Sequence, residues 1–252
     1  MSLVCFLFPI ALLLPFIPAH SQGFIMPRPI DGLPSMEEFF AQEMVYPQQA
    51  LEKEIRGEVW LKFNVMTDGS VQDLHVWKTL EAACDAEALR LARLVQWLPA
   101  SIGDLPVDAE HSLVVKFDPR EYRRSLKKRK QIDPQIAALP VLRSSIAHPA
   151  SHVADPPQPL IPKGVAGVPD WCRQHLHYPP EALRRNIQGP VKVRFVVEPS
   201  GNLSNMHSTT DLGGGCVPEA IRVLRSMQWR PGIADGKRVR TQMEMEILFK
   251  LP

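Results

Sequence analysis

An internal repeat at a spacing of 132 residues constrains the fold of this 252-residue chain more than any other feature. The offset aligns Tyr46-Pro47 with Tyr178-Pro179 and Gly57 with Gly189. The same register is kept over roughly seventy residues, through the pairs Val59/Val191, Phe63/Phe195, Val65/Val197, Gly69/Gly201, Cys84/Cys216, Ala88/Ala220, Trp97/Trp229, Pro99/Pro231, Val107/Val239 and Phe117/Phe249. Two copies with a long connector between them indicate a duplicated domain and not a solenoid.

Each copy contains the same series of predicted elements. A helix precedes the Tyr-Pro pair and a short helix follows it. Alternation of apolar residues from Val59 to Val65, and in the second copy at the same offset, predicts a strand. A glycine turn, a second strand, an amphipathic helix at about 85–96 or 217–228, and a last alternating strand at Val107 to Phe117 or Val239 to Phe249 complete the unit. The predicted class is α+β: two tandem small domains, each a three-stranded antiparallel sheet packed against helices.

Composition separates the two domains from a connector. We predict domain 1 at residues 34–118, a linker at 119–163 and domain 2 at 164–252. The linker begins with a basic run and continues with prolines from Pro140 to Pro162, which favours an extended, semi-rigid spacer. A hydrophobic content of 45% and a count of 4 cysteines exclude a disordered chain and a disulfide-built miniprotein.

The positive charge of the chain is concentrated in the run from Arg120 to Lys130. The formal net charge is +2, yet this run carries seven basic residues against Glu121 alone. The remainder is therefore mildly acidic, and the chain as a whole does not have the basic character of a nucleic-acid binder. The run itself is either a solvated helix or a contact with anionic lipid head groups, where each charge contributes on the order of 1 kcal/mol.

The amino terminus predicts export. An uncharged apolar run from Leu3 to Ile17 precedes Ala19 and Ser21, two small residues at the spacing that signal peptidase requires. We predict a signal peptide at residues 1–21. An uncleaved membrane anchor stays open as the alternative, although the run is shorter than the roughly 20 residues of a spanning helix and contains prolines.

The repeated unit follows a fixed order of short motifs. In the second copy it reads Tyr-Pro-x-x-Ala, Gly-x-Val-x-Val-x-Phe-x-Val, a glycine turn, a helix ending in Trp-x-Pro and a last strand ending in Phe. In this combination the unit resembles the carboxy-terminal domain of TonB, over residues 34–118 and 164–252. The second copy follows the family pattern more closely, and the first diverges after its hairpin.

The resemblance implies a binding module of the bacterial envelope and not a catalyst. Proteins similar to TonB bind a short peptide, the TonB box, of an outer-membrane receptor, while a motor complex in the inner membrane supplies energy for transport. Binding is by strand addition, in which an extended peptide pairs with an open sheet edge. The resemblance implies a periplasmic location, an outer-membrane receptor or another envelope protein as partner, and the motor complex as a further partner if the chain is anchored.

The last strand of the second copy is the candidate binding edge. An unprotected edge of this length is an aggregation hazard unless a partner occupies it. The candidate partner-binding residues are Tyr178, Pro179, Val239, Arg240, Gln242, Glu244, Glu246 and Leu248. The strand from Val107 to Phe117 is the counterpart in the first copy.

Two departures from the family pattern leave a second function open. Family members that transmit energy carry a polar residue in their anchor, and Leu3 to Ile17 has none. The proline-rich segment of this chain joins two domains instead of linking an anchor to one domain. A chain with a cleaved signal would bind without transmitting force. The alternative is a scaffold or accessory protein whose two domains pair with each other or with another envelope protein.

Patterns for catalysis and metal binding are weak. Cys84 and Cys216 occupy equivalent positions at the start of a helix, where a lowered thiol pKa would permit redox chemistry, although structural packing is the favoured role. Cys172 is a candidate for one disulfide. His175 and His177 have no neighbouring residues that would complete a tetrahedral metal site. We therefore predict no catalytic residue, no metal and no cofactor.

Overall fold

The computed structural model describes residues 23–129 and 132–251, so the predicted signal peptide lies outside the described part of the chain. Two hydrophobic cores form, one from each copy of the repeat. Each core contains one face of a three-stranded antiparallel sheet and the helices that pack on that face. The predicted α+β class is confirmed, and the two halves are called domain 1 and domain 2 below.

Domain 1 and the helices that follow it contain the first half of the elements. In chain order these are β1 (Phe24–Ile25), β2 (Arg28–Pro29), α1 (Leu33–Glu43), α2 (Gln48–Glu52), β3 (Gly57–Val65), β4 (Val71–Lys78), α3 (Ala82–Ala92), β5 (Trp97–Leu98), β6 (Ala100–Ile102), β7 (Leu105–Val107), β8 (Ala109–Phe117), α4 (Pro119–Lys128) and α5 (Pro134–Ala137). The basic run thus forms a helix, α4, whose first turn is capped by the Asp118 carboxylate.

The rest of the linker and domain 2 contain the second half. The elements are β9 (His148–Pro149), β10 (Gln158–Pro159), α6 (Val168–His175), α7 (Pro180–Arg184), β11 (Gly189–Val197), β12 (Leu203–Ser208), α8 (Cys216–Ser226), β13 (Trp229–Arg230), β14 (Gly232–Ala234), β15 (Lys237–Val239) and β16 (Thr241–Phe249). Short 3₁₀ turns lie at Ala150–His152 and Gly164–Gly167.

The two sheets have the same order of long strands. Domain 1 has the order β4-β3-β8, and domain 2 has β12-β11-β16 with the two-residue strand β9 added beyond β16. Strand β3 pairs with β8 without a register shift, from Gly57 opposite Phe117 to Val65 opposite Ala109. The alternation predicted for β3 is confirmed, because Val59, Leu61 and Phe63 are buried and face the helices.

Several element boundaries differ from the predicted ones. Helix α3 begins at Ala82, before the predicted start near residue 85, because the Glu81 carboxylate accepts hydrogen bonds from the amides of Ala83 and Cys84. The last strand begins at Ala109 in domain 1 and at Thr241 in domain 2, and not at Val107 and Val239 as predicted. The residues up to Val107 and Val239 form β7 and β15, which pair with β6 and β14.

The Tyr-Pro motif links a helix start to the end of the last strand. The Tyr178 hydroxyl donates a hydrogen bond to the carbonyl oxygen of Ile187 at 2.5 Å, and its ring meets Phe249 edge-on with centroids 5.7 Å apart. Tyr46 makes the same contacts in domain 1. Pro179 lies at the cap of α7, where its missing N–H costs nothing. The motif is therefore structural in both domains.

The glycine turn is coupled to the Trp-x-Pro segment. Gly201 has a φ of 82°, and a Cβ there would lie 2.5 Å from the carbonyl oxygen of Trp229. Gly69 has a φ of 81° and the same relation to Trp97. Only glycine permits both the positive φ and this close backbone approach, which explains why the two motifs recur together.

A short segment before each domain pairs with the strand that follows the third helix of that domain. In domain 1, β2 pairs with β5, and Pro29 lies opposite Trp97. In domain 2, β10 pairs with β13, and Pro159 lies opposite Trp229. The two segments are related by an offset of 130 residues, not 132, so the main alignment does not reveal them. Part of the proline-rich linker is thus bound to domain 2 as an added strand.

A pair of hydrogen bonds joins the two domains at Asn205. Its amide nitrogen donates to the carbonyl oxygen of Leu94 at 2.9 Å, and its amide oxygen accepts from the backbone N–H of Gln96 at 2.8 Å. Asn205 lies in the left-handed region with a φ of 53° and is buried. Asp73, the equivalent residue of domain 1, has a φ of 54° but is exposed. The same local backbone therefore serves an interface in one copy only.

A buried ion pair supports this contact. The Arg240 guanidinium and the Glu198 carboxylate approach to 2.9 Å, and the two side chains are 5% and 1% exposed. Arg240 also donates to the carbonyl oxygens of Leu94 at 3.0 Å and of Ser145 in the linker. One side chain therefore contacts domain 1, the linker and domain 2.

Further polar contacts lie on either side of the ion pair. The Glu43 carboxylate, at the end of α1, accepts hydrogen bonds from the Ser200 hydroxyl and the Asn202 amide. Arg225 of α8 donates to the Asp31 carboxylate at 2.6 Å and to the Ser35 hydroxyl at 2.9 Å. Polar contacts therefore join the two domains at several separate points.

We expect Arg240→Met to destabilise the chain strongly, because it leaves the Glu198 carboxylate buried without its partner. Breaking a buried pair in this way typically costs about 3–5 kcal/mol. The double variant Glu198→Met/Arg240→Met should recover a large part of the loss, since Met66 already occupies the position equivalent to Glu198 in domain 1. The free energy of unfolding in urea measures both variants, and equal losses in the two would contradict the assignment.

We expect the contribution of Glu43 to the free energy of unfolding to fall as the pH rises. Burial, followed by the nearby Glu198 carboxylate, raises the pKa of Glu43 above its ordinary value of 4.5 despite the opposing effects of Ser200, Asn202 and Arg90. A raised native pKa means that the native state holds this proton more tightly than the unfolded state, so its contribution is lost as pH rises through that pKa.

Glu43→Gln keeps the acceptor oxygen and removes the titration. The stability of this variant relative to wild type should increase as pH rises from 4.5 towards neutrality, measured by urea unfolding at several pH values. Glu38→Gln, on the exposed side of the same helix, controls for the loss of one negative charge. A pH-independent difference between Glu43→Gln and wild type would refute the prediction.

Candidate peptide-binding edges

The outer edge of β16 presents the backbone groups of alternate residues. The His148 amide donates to the Arg240 carbonyl oxygen at 2.9 Å, so the backbone groups of Arg240 point away from β11. The ladder between β11 and β16 has no register shift. Because backbone groups alternate along a strand, those of Gln242, Glu244, Glu246 and Leu248 also point to the outer edge.

The linker covers the beginning of this edge. Leu142 donates to the Arg238 carbonyl oxygen, and His148 and Pro149 lie parallel to Thr241 and Gln242 as β9. Beyond Gln242, no other strand in the described part of the chain pairs with the outer edge of β16. Domain 2 therefore has a partly covered edge.

The equivalent edge of β8 in domain 1 has no strand against it within residues 23–129 and 132–251. The offset of 132 relates Gln242, Glu244, Glu246 and Leu248 to a matching set on β8, and the ladder with β3 is likewise unshifted. The residues whose backbone groups point outward are Glu110, Ser112, Val114 and Lys116.

A groove of about 340 Å³ lies beside the end of β8, between α1 and α4. Its apolar lining includes Phe40, Met44 and Tyr122, and Val114 contributes from the strand. Its charged lining residues are Glu37, Lys116, Asp118 and Glu121. Three carboxylates against one lysine make the groove acidic around an apolar surface.

The structure places the eight predicted binding residues in two environments. Tyr178 and Pro179 immediately precede α7, and Val239 and Arg240 are buried before β16. On the solvent-facing side of β16, Glu244 pairs with Arg194 at 3.0 Å, Glu246 is exposed, and Leu248 is 48% exposed. Gln242 is half-buried beside the linker. The side chains of the β16 residues therefore share one face, whereas the Tyr178 hydroxyl and the Arg240 guanidinium are engaged inside the chain.

A family profile described as "Gram-negative bacterial TonB protein C-terminal" matches the sequence twice, at residues 42–119 and 174–251. The chain belongs to this TonB family. The two matches coincide with the two folded copies, and proteins of this family belong to the Gram-negative envelope.

Comparison with individual proteins adds one solved structure. The NMR solution structure of Helicobacter pylori TonB-CTD (residues 179-285) is 21% identical, with a TM-score of 0.26 over 33% of this chain and 77% of that chain. No curated protein matches the sequence significantly.

Sequence reasoning named the β8 edge only as a counterpart and did not find the groove beside it. The groove requires α4 to fold back against α1, which a basic run does not indicate. Tyr122 was the available signal, because it is an aromatic residue within that run; it packs against Tyr46 with ring centroids 5.2 Å apart. Arg129 then donates to the carbonyl oxygen of Met44 at 2.6 Å.

The three described cysteines are free and buried. Burial, and for Cys84 the nearby Glu81 carboxylate, raises the thiol pKa to about 12 for Cys84 and to about 11 for Cys172, and burial raises the pKa of Cys216 as well. The hypothesis that the helix start lowers the Cys84 and Cys216 pKa values is therefore wrong, because desolvation of the thiolate dominates. Cys172 forms no disulfide in this structure.

The remaining residues considered for chemistry have structural contacts. The His175 ring stacks on Trp171 at 3.8 Å between centroids, and the His177 amide donates to the Glu219 carboxylate. Within the described ranges, no group of three or more His, Cys, Asp or Glu residues is arranged to hold a metal ion. None of the helices described there combines the length and apolar character needed to cross a bilayer.

We expect the native thiols of Cys84, Cys172 and Cys216 to resist alkylation, because the reactive thiolate is suppressed. At pH 8, iodoacetamide should modify them more slowly than in urea-unfolded chain by on the order of 100-fold or more. Mass spectrometry follows the modification. An exposed control thiol introduced by Ser151→Cys should react at the unfolded rate in the native chain; native reaction of Cys84 at that rate would restore a redox role.

Proposed function

We propose that this chain is a periplasmic TonB-family protein that binds an extended peptide segment of an outer-membrane receptor by strand addition. The observation that carries the proposal is the outer edge of β8, against which no strand lies in the described part of the chain. Four residues there, Glu110, Ser112, Val114 and Lys116, present unpaired backbone donors and acceptors. An edge of this kind gains main-chain hydrogen bonds when a peptide adds to it.

The groove between α1 and α4 defines the side chains that such a peptide would carry. Apolar residues would contact Phe40, Met44 and Tyr122, and a basic residue would meet the carboxylates of Glu37 and Glu121. We therefore expect an extended segment with alternating apolar side chains and at least one Lys or Arg. The proposed segment corresponds in role to the TonB box that the family resemblance implies.

Domain 1 is favoured over domain 2 as the first binding site. In domain 2 the linker already pairs with Arg238, Arg240 and Gln242. A peptide that used the whole β16 edge would have to displace these pairs, whereas β8 offers its edge without displacement. The predicted binding residues Gln242, Glu244, Glu246 and Leu248 then form a second, partly covered site.

The second candidate function is a scaffold that does not transmit energy. Its support is the absence of a polar residue between Leu3 and Ile17 and the small residues Ala19 and Ser21, which favour a cleaved signal. In the described chain the domains meet through α1, the end of α3 and β12, and β8 does not pair with β16. A scaffold of this form would keep an edge for an envelope partner. An uncleaved anchor would instead favour contact with the inner-membrane motor complex.

Helix α4 supplies a further proposed contact. Arg120, Arg124, Lys127 and Lys128 are exposed on it. Arg123 pairs with Glu54 at 2.5 Å, which fixes one side of the helix to domain 1. The exposed cations are placed to meet anionic lipid head groups, each contributing on the order of 1 kcal/mol.

We expect a photoreactive residue at position 110 to capture an outer-membrane receptor in intact cells. Position 242 is the matched control, because Glu110 and Gln242 are equivalent but only Gln242 lies beside the linker strand. Mass spectrometry of the cross-linked envelope proteins should give more receptor peptide from position 110 than from position 242.

The variant Ser112→Pro separates strand addition from contact of another kind. The N–H of Ser112, which proline lacks, points to the outer edge of β8. The substitution therefore leaves the ladder with β3 intact and removes one donor to the peptide. We expect loss of the cross-link from position 110, with unchanged circular dichroism. Glu244→Pro is the matched change on β16. Recovery of no receptor from position 110 of the unsubstituted chain would refute receptor binding.

A further inference from the structure

A cavity of about 590 Å³ lies where domain 1, domain 2 and the linker meet. Domain 1 contributes the ends of α1 and α3, including Glu43 and Arg90. The linker contributes residues 141–145 and Arg129, and domain 2 contributes the turn after Glu198. The cavity is thus bordered by three parts of the chain that are distant in sequence.

Basic side chains dominate the lining of this cavity. It contains Arg90, Arg93, Arg129, Arg143, Arg238 and Arg240. The carboxylates are those of Glu43 and Glu198. Six guanidinium groups against two carboxylates leave a clear excess of positive charge.

Two of the six arginines have carboxylate partners. Arg240 pairs with Glu198 at 2.9 Å, and Arg90 pairs with Glu87 at 2.7 Å. Glu43 accepts its hydrogen bonds from Ser200 and Asn202. The carboxylates at the cavity therefore already accept hydrogen bonds from other groups, and two carboxylates do not offset the charge of six guanidinium groups.

The other four arginines lack an acidic partner among the described residues. Arg238 donates to the carbonyl oxygens of Leu139, Pro199 and Ala137. Arg129 donates to backbone carbonyls of α1 and its C-terminal cap, and its Nε is buried without a hydrogen bond.

Arg93 and Arg143 are exposed and form no side-chain hydrogen bond or ion pair within the described ranges. Arg225, which is equivalent to Arg93 in domain 2, does pair with Asp31.

Burial disfavours the charged form of the cavity arginines that have no carboxylate partner. Burial lowers the pKa of Arg238, against the opposing effect of the Glu43 carboxylate. Guanidinium groups brought together without counter-charge repel one another, and an oxyanion between them relieves both the repulsion and the unmade hydrogen bonds. The planar guanidinium fork matches phosphate and carboxylate oxygens in a bidentate manner.

We propose that this cavity binds a small polyanion, a molecule with two or more phosphate or carboxylate groups, held by Arg93, Arg129, Arg143 and Arg238. The volume exceeds that of one inorganic phosphate and lies within the range of about 300–1,000 Å³ for small-molecule sites. The ligand contacts both domains and the linker, so its binding stabilises their association by mass action. The site is separate from the β8 edge and its proposed peptide.

The test is isothermal titration of the full chain with tripolyphosphate and, separately, with citrate, in 0.15 M salt. We expect one-site binding of at least one of them, and the two probes distinguish a phosphate ligand from a carboxylate ligand. Arg93→Gln/Arg143→Gln should weaken binding at least tenfold. Both side chains are exposed and unpaired among the described residues, so this variant should fold normally, as circular dichroism will verify.

The matched control is Arg120→Gln/Arg124→Gln, which removes the same charge from α4 outside the cavity. It should change the dissociation constant less than twofold. Arg93→Lys/Arg143→Lys keeps the charge but loses the guanidinium fork. Its dissociation constant for the probe should lie between those of the cavity variant and the control variant. Binding of neither probe, or equal weakening by the cavity and control variants, would overturn the proposal.

Discussion

The carbonyl oxygen of Leu94 is the most buried of the points at which the two domains are joined, because both of its partners, Asn205 and Arg240, are buried. Helix α3 ends at Ala92, so this carbonyl has no partner within the helix. It accepts one hydrogen bond from Asn205 and one from Arg240. Arg240 is held in place by Glu198, so the buried ion pair, the turn that follows α3 and the linker contact at Ser145 form one connected network. Removing a member leaves the others buried without partners, which is the costly case.

The two copies show how a duplicated fold acquires different surfaces without a change of backbone. Asn205 and Asp73 share a positive φ and lie at the same point of the second strand. Glu198 in domain 2 corresponds to Met66 in domain 1. Polar residues on the hairpin of domain 2 therefore form part of the domain interface, while Asp73 on the equivalent hairpin of domain 1 is exposed. The outer edges of the two sheets also differ, because the linker pairs with β16 whereas no described strand pairs with the outer edge of β8.

The cores were predictable from sequence, whereas the interface was not. Apolar residues alternate along β3 and β11, and the spacing of the Tyr-Pro and Trp-x-Pro motifs is repeated in both copies. These patterns predict the strands because each strand buries its own apolar face. Arg240 was predicted to contact a partner from the candidate binding edge; it is 5% exposed because Leu94 of domain 1 and Glu198 contact its side chain. The pattern within one domain contains no information about a second domain.

The candidate site was likewise predictable from the sequence only in part. The edge strands were predicted, whereas the groove requires α4 to pack against α1. The added strand β10 was hidden because its offset from β2 is 130 residues.

The linker connects the two proposed sites physically. Its residues 141–145 form a wall of the arginine-rich cavity, and its backbone pairs with Arg238 and Arg240 at the start of β16. The side chains of the same two arginines line the cavity. A peptide that displaced the linker from β16 would therefore open the cavity wall, and a polyanion in the cavity would hold the linker against the edge. By contrast, β8 shares no strand pairing with the linker residues that the structure describes, so a peptide added there would leave the domain interface intact.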